Sequence, residues 1–462
     1  MVFFLLENFD LNKFKNIHMI GIGGISMSGI AEILYNWGYT VTGTDSCASE
    51  ITNKLNENGI KVHIGHNEDY LNGADLVVYS AAIREDNPEL ILARKNNILT
   101  IERGSFVGEI TKMYNNTIGI SGTHGKTTTT SMVSLCFIEA GLDPSIQVGA
   151  ILKQLNGNYR VGNSGHFILE ACEYVDSFLK FWPKVEIILN IDNDHLDYFK
   201  DLEHIKDSFK KYVAKLPTDG LLVINADDLS CTQVSKSTNA KVVTYGLKGN
   251  ANFIAKNITF DDNGFAEFEV FYNDNFFEKI KLSVPGIHNI SNALACIALC
   301  NEHSISKEAI KNALLSFTGA HRRFEYVGKC NGASVYNDYG HHPTEIKATI
   351  DAVKNRKYNK SWVVFQPHTY SRTFNLLEDF AKVLKEFDNI IIIDIYAARE
   401  INTYGISSLD LVNKIKSYGK DALYIPDLND VPEYIKDNAS NGDIVLALGA
   451  GNIIDICEKL ID

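Results

Sequence analysis

The chain has 462 residues, of which 45% are hydrophobic and 22% are charged, a balance typical of soluble globular proteins. Its formal net charge of −13 argues against nucleic acid or an anionic membrane surface as the main partner. No apolar run is long enough to span a membrane, and the run at residues 2–6 is too short for a signal peptide. We therefore expect a cytoplasmic protein without membrane insertion, built from roughly three domains of about 150 residues each.

The first segment, residues 1–112, is predicted to form a Rossmann-like domain. A short apolar strand at residues 16–22 runs into a glycine-rich turn at residues 21–29, and a second strand ends at Asp45. This pattern is typical of dinucleotide binding, although Ser26 stands where the third glycine of the fingerprint belongs. The turn therefore indicates a site for a pyrophosphate or a nucleotide sugar, with a nicotinamide cofactor as an alternative.

The clearest motif of the chain opens the middle segment, residues 113–317. A β-branched strand at residues 117–120 leads into a glycine-flanked turn, after which Lys126 and Thr127 start an apolar helix. Backbone amides, a helix N-terminus and a lysine together bind nucleotide phosphates, and the Thr127 hydroxyl is placed to contact Mg²⁺. Ile120 replaces the first glycine of the strict pattern, so we predict a variant phosphate loop rather than an ordinary glycine turn before a helix. Its binding residues are Gly122, Thr123, His124, Gly125, Lys126, Thr127 and Thr128.

Two later strands of the middle segment are predicted to deliver metal ligands. Glu170 ends one strand, and His195 follows the strand at residues 185–189 within an acidic cluster. Ligands of open α/β sheets lie at the carboxyl ends of strands, and Mg²⁺ prefers oxygen ligands. Glu170 and His195 are therefore candidate ligands beside Thr127, and solvated strand-end side chains are the alternative.

The rest of the middle segment is predicted to have a different secondary structure. Alternating aromatic-rich segments at residues 252–258, 264–272 and 276–282 favour antiparallel strands. An apolar helix then begins near His288, and the pair Asn289 and Asn292 falls on one side of its first turn. Their amides suit either recognition of a purine edge or capping of the helix.

The last segment, residues 318–462, is predicted to form a second Rossmann-like domain. A strand ending at Asp338 precedes a helix that starts near Pro343, and a βαβ pattern follows from residue 361. The predicted fold class is thus α/β in three domains. The central domain is a P-loop type with a mostly parallel sheet and added antiparallel strands.

Together these motifs resemble the Mur ligases, the ATP-dependent enzymes that build the peptide stem of peptidoglycan. The resemblance spans the whole chain, and the stretches 21–29, 170–174 and 338–345 are most similar to members that attach L-alanine to UDP-N-acetylmuramate. It implies a UDP-sugar-binding domain at 1–112 and a central ATP-binding domain at 113–317. It also implies that residues 318–462 bind the amino acid and part of ATP.

The resemblance also implies roles for individual residues. Catalysis is expected from Lys126, Glu170, His195 and Arg322. Mg²⁺, or Mn²⁺ in its place, is expected on Thr127, Glu170 and His195. Beyond the phosphate loop, ATP contacts are expected from His288, Asn289, Asn292, Arg322 and Asp338. The UDP-sugar is expected to contact Gly23, Gly24, Ser26, Met27, Ser28, Asp45 and Ser80. Tyr339, His341 and Arg372 are expected to help place L-alanine or the acyl phosphate.

The implied reaction activates a carboxylate, because a carboxylate does not react with an amine at neutral pH. Attack on the γ-phosphorus of ATP is expected to give an acyl phosphate, which the amine of alanine then attacks. A recycling ligase of the same family that joins a tripeptide to the same nucleotide sugar is the alternative. A P-loop hydrolase and an NAD(P)-dependent dehydrogenase are more remote alternatives. The expected assembly is a monomer or a homodimer.

Overall fold

The computed structural model describes residues 9–195, 198–398 and 400–461, and these form three α/β units around three separate sheets. The apolar run at residues 2–6 lies outside the described residues. Within the described part of the chain, no helix combines the length and the apolar character that a membrane span needs.

The N-terminal sheet has five parallel strands in the order β3-β2-β1-β4-β5. The order reverses between β1 and β4, which is where ligands of doubly wound sheets bind. The strands are β1 (Asn16–Ile20), β2 (Thr40–Asp45), β3 (Lys61–Ile64), β4 (Leu76–Tyr79) and β5 (Leu99–Glu102). The helices are α1 (Ile25–Asn36), α2 (Glu50–Glu57), α3 (Pro88–Lys95) and α4 (Arg103–Thr111), with 3₁₀ turns at Leu11–Lys13 and Glu68–Leu71.

The central sheet has ten strands in the order β15-β14-β13-β12-β11-β10-β6-β9-β7-β8. Its first strands are β6 (Asn116–Ser121), β7 (Ser145–Leu152), β8 (Gly157–Arg160), β9 (His166–Glu170) and β10 (Val185–Ile188). Its later strands are β11 (Leu221–Asn225), β12 (Lys241–Gly246), β13 (Phe253–Phe260), β14 (Phe265–Tyr272) and β15 (Asn275–Pro285). The strands from β13 to β7 run parallel, whereas β14, β15 and β8 pair antiparallel with their neighbours.

The helices of the central unit include the one that follows the phosphate loop. They are α5 (Lys126–Glu139), α6 (Leu202–Val213), α7 (Leu229–Val234), α8 (Ile287–Glu302) and α9 (Lys307–Ser316), with 3₁₀ turns at Lys153–Leu155, Tyr174–Lys180 and Ser235–Ser237. Helices α5 and α8 pack in one apolar core against one face of the sheet, which places the start of α8 beside the loop.

The C-terminal sheet has six strands in the order β16-β17-β21-β18-β19-β20, parallel except for the β16–β17 hairpin. The strands are β16 (Glu325–Cys330), β17 (Ala333–Asp338), β18 (Ser361–Phe365), β19 (Asn389–Ile392), β20 (Leu423–Tyr424) and β21 (Ile444–Leu448). The helices are α10 (Pro343–Lys354), α11 (Tyr370–Asn375), α12 (Leu377–Leu384), α13 (Ser408–Ser417), α14 (Val431–Asn438) and α15 (Ile454–Leu460).

The predicted fold class is confirmed. The three units are α/β, the central sheet is mostly parallel, and the segment from residue 252 to residue 282 forms the expected antiparallel strands. The two strands predicted to supply metal ligands, β9 and β10, flank the phosphate-loop strand β6 on either side. Their carboxyl ends therefore lie at the same sheet edge as the loop.

Candidate active site

The phosphate loop adopts a conformation that requires glycine at two positions. Gly122 has φ +135° and Gly125 has φ +86°, both in the region that side chains with a Cβ rarely adopt. A Cβ at Gly125 would also lie 2.7 Å from Oδ1 of Asn292. The loop is therefore packed closely against the first turn of α8.

Asn190, directly after β10, holds the backbone of the loop. Its side-chain Oδ1 accepts a hydrogen bond from the His124 amide at 2.8 Å, and its Nδ2 donates to the His124 carbonyl at 3.0 Å. The amide of Thr123 donates to the Asn190 carbonyl at 3.1 Å. Asn190 was not among the residues predicted to form the phosphate loop's binding set. Its place after a strand that neighbours β6 is the signal that could have identified it.

Lys126 lies against its own loop and a buried carboxylate. Its Nζ donates to the carbonyls of Gly122 at 2.5 Å and Thr123 at 3.1 Å, and to Oε2 of Glu173 at 3.0 Å. The Glu173 side chain is only 2% exposed. Burial opposes the lysine charge, but the carboxylates of Glu173 and Glu170 outweigh it and raise the pKa of Lys126. The loop therefore carries a full positive charge.

The three predicted metal ligands lie on separate elements: Glu170 ends β9, His195 lies in the segment after β10, and Thr127 lies in the first turn of α5. Oε1 of Glu170, at the end of β9, accepts the amide of Gly149 at 2.6 Å. His195 has a left-handed φ of 55°, and its ring packs against Tyr174 at a centroid distance of 4.5 Å. Thr127 is buried in the first turn of α5. A carboxylate and a hydroxyl suit Mg²⁺ or Mn²⁺, so these two donors fit the predicted ion, whereas an imidazole is a less usual ligand for either metal.

A cavity of about 840 Å³ opens between the loop, the start of α8 and the C-terminal unit. This volume is in the range of small-molecule sites. Several residues predicted to contact ATP line it together: His124, Gly125, Thr128, His288, Asn289, Asn292 and Asp338. The structure thus brings the two halves of the predicted nucleotide site into one space.

The first turn of α8 supplies polar groups to the cavity. Nδ2 of Asn289 donates to the Pro285 carbonyl at 2.7 Å, and its Oδ1 accepts from Nδ2 of Asn292 at 3.1 Å. Both amides line the cavity. Neither caps α8 among the described residues, because the N-cap position is Gly286 and the Asn289 amide donates to a carbonyl ahead of the helix. Their contact with a purine edge remains a prediction. Burial lowers the pKa of His288 to about 4, which makes its imidazole neutral. Its Nδ1 has no hydrogen-bond partner among the described residues.

The C-terminal unit contributes a buried carboxylate and an arginine. Asp338 accepts amides from Phe324 at 2.9 Å and Gly340 at 2.6 Å, and burial raises its pKa to about 6. Arg323 lines the cavity. Arg322, the arginine predicted to reach the nucleotide, does not line it: its Nη2 donates to two carbonyls of the turn after β21, at 2.7 and 2.8 Å. The left-handed φ of 60° at Arg322 separates the directions of the two neighbouring side chains.

A second cavity of about 200 Å³ lies between His195 and the loop before α11. Arg372 lines it, donating to Oδ1 of Asp194 at 3.1 Å and to Nδ1 of His368 at 3.2 Å. The ring of His341 lies 5.8 Å from that of His368. The Cζ atoms of Arg322 and Arg323 lie 4.9 and 5.0 Å from the centre of the Tyr339 ring. Asp194, His368 and Glu400 are among the other residues that line this space.

The residues predicted to bind the UDP-sugar lie in and around the glycine turn of the N-terminal unit. The Gly23 amide donates to Oδ2 of Asp45 at 2.9 Å, so these two residues meet as expected. The side chains of Met27 and Ser28 are 1% exposed and pack in the core, because both face the sheet from α1. These two side chains therefore do not reach the surface of the turn, and contact of residues 27 and 28 with the UDP-sugar remains a prediction.

The remaining predicted residues of this unit lie near the same turn. Gly24 precedes α1. Ser80 follows β4, and its Oγ accepts the Ala82 amide at 3.3 Å. Ser26 accepts Nε2 of Gln147 on its Oγ at 2.5 Å, which makes it a contact with the central unit.

Fold and site define a three-unit α/β protein in which a phosphate loop, acidic strand ends and a covering C-terminal unit surround a nucleotide-sized cavity. Three family descriptions match consecutive parts of the chain: "Mur ligase family, catalytic domain" at residues 16–115, "Mur ligase middle domain" at 120–300 and "Mur ligase, glutamate ligase domain" at 322–451. The chain belongs to the Mur ligase family.

Whole-length relatives support this assignment. The chain is 50% identical to UDP-N-acetylmuramate–L-alanine ligase of Acetivibrio thermocellus, over 99% of this chain and 97% of that one. It is 47% identical to the Clostridium perfringens enzyme of the same name, over the full length of both.

Solved structures share the fold. UDP-N-acetylmuramate–alanine ligase of Thermotoga maritima superposes with a TM-score of 0.81 at 29% identity, covering 97% of this chain and 98% of that one. A murein peptide ligase of Psychrobacter arcticus gives a TM-score of 0.70 at 24% identity, covering 96% and 98%. The second likeness shows a common fold only.

Proposed function

We propose that this protein joins L-alanine to the lactyl carboxylate of UDP-N-acetylmuramate with consumption of ATP, the first step in building the peptidoglycan stem peptide. One observation carries the proposal. The phosphate loop and the start of α8 line a single cavity, in a chain that matches a relative named for this reaction at 50% identity over 99% of its length. The tripeptide-recycling alternative has weaker support, since the murein peptide ligase is 24% identical.

The reaction proceeds in two steps that balance without an added oxidant or reductant. A carboxylate oxygen of the muramate attacks the γ-phosphorus of ATP, and the bond from that phosphorus to the β-phosphate oxygen breaks, which leaves ADP. The alanine nitrogen then attacks the acyl carbon, the C–N bond forms, and inorganic phosphate departs. The amine loses its proton to a base or to solvent.

Lys126 supplies the charge that phosphoryl transfer requires. Catalysis of this transfer rests mainly on positioning and on stabilisation of the charge on the phosphoryl oxygens. Because Lys126 is paired with Glu173 at 3.0 Å, it must leave that carboxylate to meet the phosphates. Thr127, Glu170 and His195 would hold Mg²⁺ or Mn²⁺, which neutralises phosphate charge when bound.

The large cavity is proposed to hold the rest of ATP. The amides of Asn289 and Asn292 offer donors and acceptors to a purine edge, and the neutral ring of His288 offers an apolar face. Arg323 and Asp338 approach the cavity from the C-terminal unit. Arg322 supports this side by holding the turn after β21, and not by touching the nucleotide.

The remaining substrates are assigned to the other two spaces. Arg372 carries the cation that suits the carboxylate of L-alanine in the second cavity. The ring of His341 lies next to His368 of that lining, and the ring of Tyr339 lies next to His341. The glycine turn at residues 21–29 and Asp45 are assigned to the UDP-sugar, since a helix start binds pyrophosphate without further chemistry. We also infer a cytoplasmic monomer or homodimer, with units bounded near residues 112 and 317.

One incubation tests the proposal. The protein is mixed with UDP-N-acetylmuramate, ATP and single amino acids or the tripeptide, and phosphate release is measured. Release that requires the sugar nucleotide and L-alanine together is expected. Preference for the tripeptide would favour the recycling ligase, and release without either substrate would favour a hydrolase. A separate incubation with NAD(P)H tests the dehydrogenase, which would change the absorbance of that cofactor.

A further inference from the structure

The phosphate loop makes a direct charged contact with the C-terminal unit. Nδ1 of His124 lies 3.3 Å from Oε1 of Glu345, and its Nε2 lies 3.4 Å from Oδ2 of Asp192. His124 and Asp192 belong to the central unit, whereas Glu345 lies in the first turn of α10. One imidazole of the loop therefore bridges the two units.

The two carboxylate oxygens of Glu345 contact two different segments of the chain. While Oε1 faces His124, its Oε2 accepts the amides of His341 at 3.0 Å and His342 at 3.2 Å. This second set forms the capping box that starts α10. The segment that carries His341, next to the proposed amino-acid site, is thus fixed by the same carboxylate that touches the loop.

Neighbouring contacts reinforce this junction. Oγ1 of Thr344 donates to Oδ2 of Asp192 at 2.8 Å, and Nε2 of His342 donates to the Asn193 carbonyl at 3.0 Å. These partners lie just after Asn190, whose amide holds the loop backbone. Movement of the C-terminal unit would therefore act on the loop through the segment after β10 as well as through His124.

The charges at this junction favour a protonated histidine. Burial opposes the charge, but the carboxylates of Asp192 and Glu345 outweigh it and raise the pKa of His124 to about 9. The ring of His342 also faces His124, at a centroid distance of 5.0 Å. His341 and Arg323 act on Glu345 from the C-terminal unit and hold the pKa of that carboxylate well below its usual range.

Two histidines and an aspartate in this arrangement are also the side chains that bind metal ions. His124, Asp192 and His342 place ligand atoms within 4.8 Å of one another. Both ring nitrogens of His342 are already used, however, since Nδ1 accepts the Thr344 amide at 3.3 Å and Nε2 donates to Asn193. Nδ1 of His124 is hydrogen-bonded to Glu345, and its Nε2 faces Asp192 as an ion-pair contact at 3.4 Å without a hydrogen bond. Two carboxylates on either side of one imidazole favour a proton on that ring, so a charged His124 accounts for the geometry.

We propose that Glu345 and the protonated His124 form a latch through which docking of the C-terminal unit sets the conformation of the phosphate loop. Glu345 is a positioning residue in this proposal, which rests on the ligase function proposed above. The latch couples the proposed ATP site to the proposed amino-acid site, because one carboxylate contacts both. Phosphoryl transfer is thereby favoured in the docked arrangement, in which water is excluded from the acyl phosphate.

The sign of the pH dependence follows from the raised pKa. His124 holds its proton more tightly in the docked arrangement than an ordinary histidine of pKa 6.5 does. Its contribution to docking is therefore complete below about pH 6.5 and is lost as the pH rises through about 9.

Substitution of Glu345 in the full chain tests the latch without any substrate. In Glu345→Gln we expect the pKa of His124, followed by NMR of ¹³C-labelled histidine and assigned with His124→Gln, to fall by at least about one unit. We also expect faster hydrogen exchange at residues 121–125. Glu386→Gln is the matched control, because Glu386 pairs with Lys347 and Lys354 of the same helix α10, away from the loop.

A His124 pKa and a loop exchange rate that both stay at the wild-type values in folded Glu345→Gln would overturn the latch. If that variant fails to fold, His124→Gln serves instead. It should speed exchange at residues 341–345, and unchanged exchange there would equally refute the proposal. Phosphate release by the wild type with UDP-N-acetylmuramate and L-alanine tests the ligase function separately, so the two failures are distinguishable.

Discussion

Two segments of this protein share one local design and differ in what surrounds it. Both β1–α1 and β6–α5 run from a strand through a glycine with positive φ, Gly21 at +80° and Gly122 at +135°, into a helix. Each helix start presents free amides and a partial positive charge. The local motif that binds anions, a glycine turn before a helix start, is therefore present twice.

The surroundings of the two turns separate their proposed roles. The β6–α5 turn adds Lys126 and lies under the C-terminal unit, which closes a cavity over it. The β1–α1 turn has no lysine between residues 21 and 29, and its Ser26 is held by Gln147 of β7. A helix start alone suffices to hold a pyrophosphate, whereas transfer of a phosphoryl group requires a full charge and a closed site.

The largest effect is expected from removing the lysine that distinguishes the two turns. Lys126→Ala should lower kcat for phosphate release by about 10²–10³-fold, because a charge that stabilises the transition state is lost. Binding of UDP-N-acetylmuramate, measured by calorimetry, should stay near the wild-type value. Lys61→Ala, at an exposed lysine of β3, is the control. If Lys126→Ala kept most of the activity, the loop would take no part in phosphoryl transfer.

Removing the acid at the first turn should weaken binding of the sugar nucleotide and not that of ATP. Asp45→Ala removes the acceptor of the Gly23 amide, and a bond to a charged group contributes about 1.5–3 kcal/mol. We expect the KM for UDP-N-acetylmuramate to rise by about tenfold or more, while the KM for ATP is unchanged. Steady-state kinetics with each substrate varied measures both. Asp69→Ala, at an exposed acid of the same unit, should change neither. An equal rise in both KM values would contradict the division of roles.

Alanine at the glycine before each helix compares the two turns directly. Gly125→Ala meets a φ of +86° and an Asn292 oxygen at 2.7 Å, so we expect the variant to lose at least about 1–2 kcal/mol of unfolding free energy. At Gly24 the nearest atom is 3.5 Å away and φ is −65°, so Gly24→Ala should change stability by less than about 1 kcal/mol. Thermal unfolding of both variants checks this order, and equal losses would refute it.

The smallest effect concerns the contact that ties the first turn to the central unit. Gln147→Ala removes two hydrogen bonds to Ser26, at 2.5 and 3.2 Å, and should lower the unfolding free energy by about 1 kcal/mol. Scanning calorimetry measures the change. Gln154→Ala, at an exposed glutamine of the central unit, is the comparison and should have less effect. Equal losses of unfolding free energy in the two variants would show that the contact between Gln147 and Ser26 does not stabilise the protein.

Much of the fold could be predicted because each unit repeats a local pattern. Buried strands, glycine turns and amphipathic helices follow one another along the chain, and the antiparallel segment after residue 252 shows its period of two. The helix start at Pro343 was also predictable, since proline and an acid three positions after the cap mark it. These features depend on residues close together in sequence.

Parts of the site were not predictable because they depend on which side chains meet after folding. Met27 and Ser28 stand in the right motif, but the rotation of α1 buries both. Of two consecutive arginines, Arg323 lines the cavity, whereas Arg322 binds the carbonyls of the turn after β21. A one-residue shift of this kind is not visible in a local pattern.

The amino-acid sequence by itself determined the three α/β units, the phosphate loop with Lys126 and the acidic strand ends around it. Short-range geometry carries these features, because a glycine turn between a strand and a helix needs only adjacent residues. The tertiary structure decided that Asn190 holds the loop, that Glu173 holds its lysine and that Glu345 of another unit reaches His124. Contacts between side chains that are tens to hundreds of residues apart exist only once the sheet order and the docking of the units have placed them together.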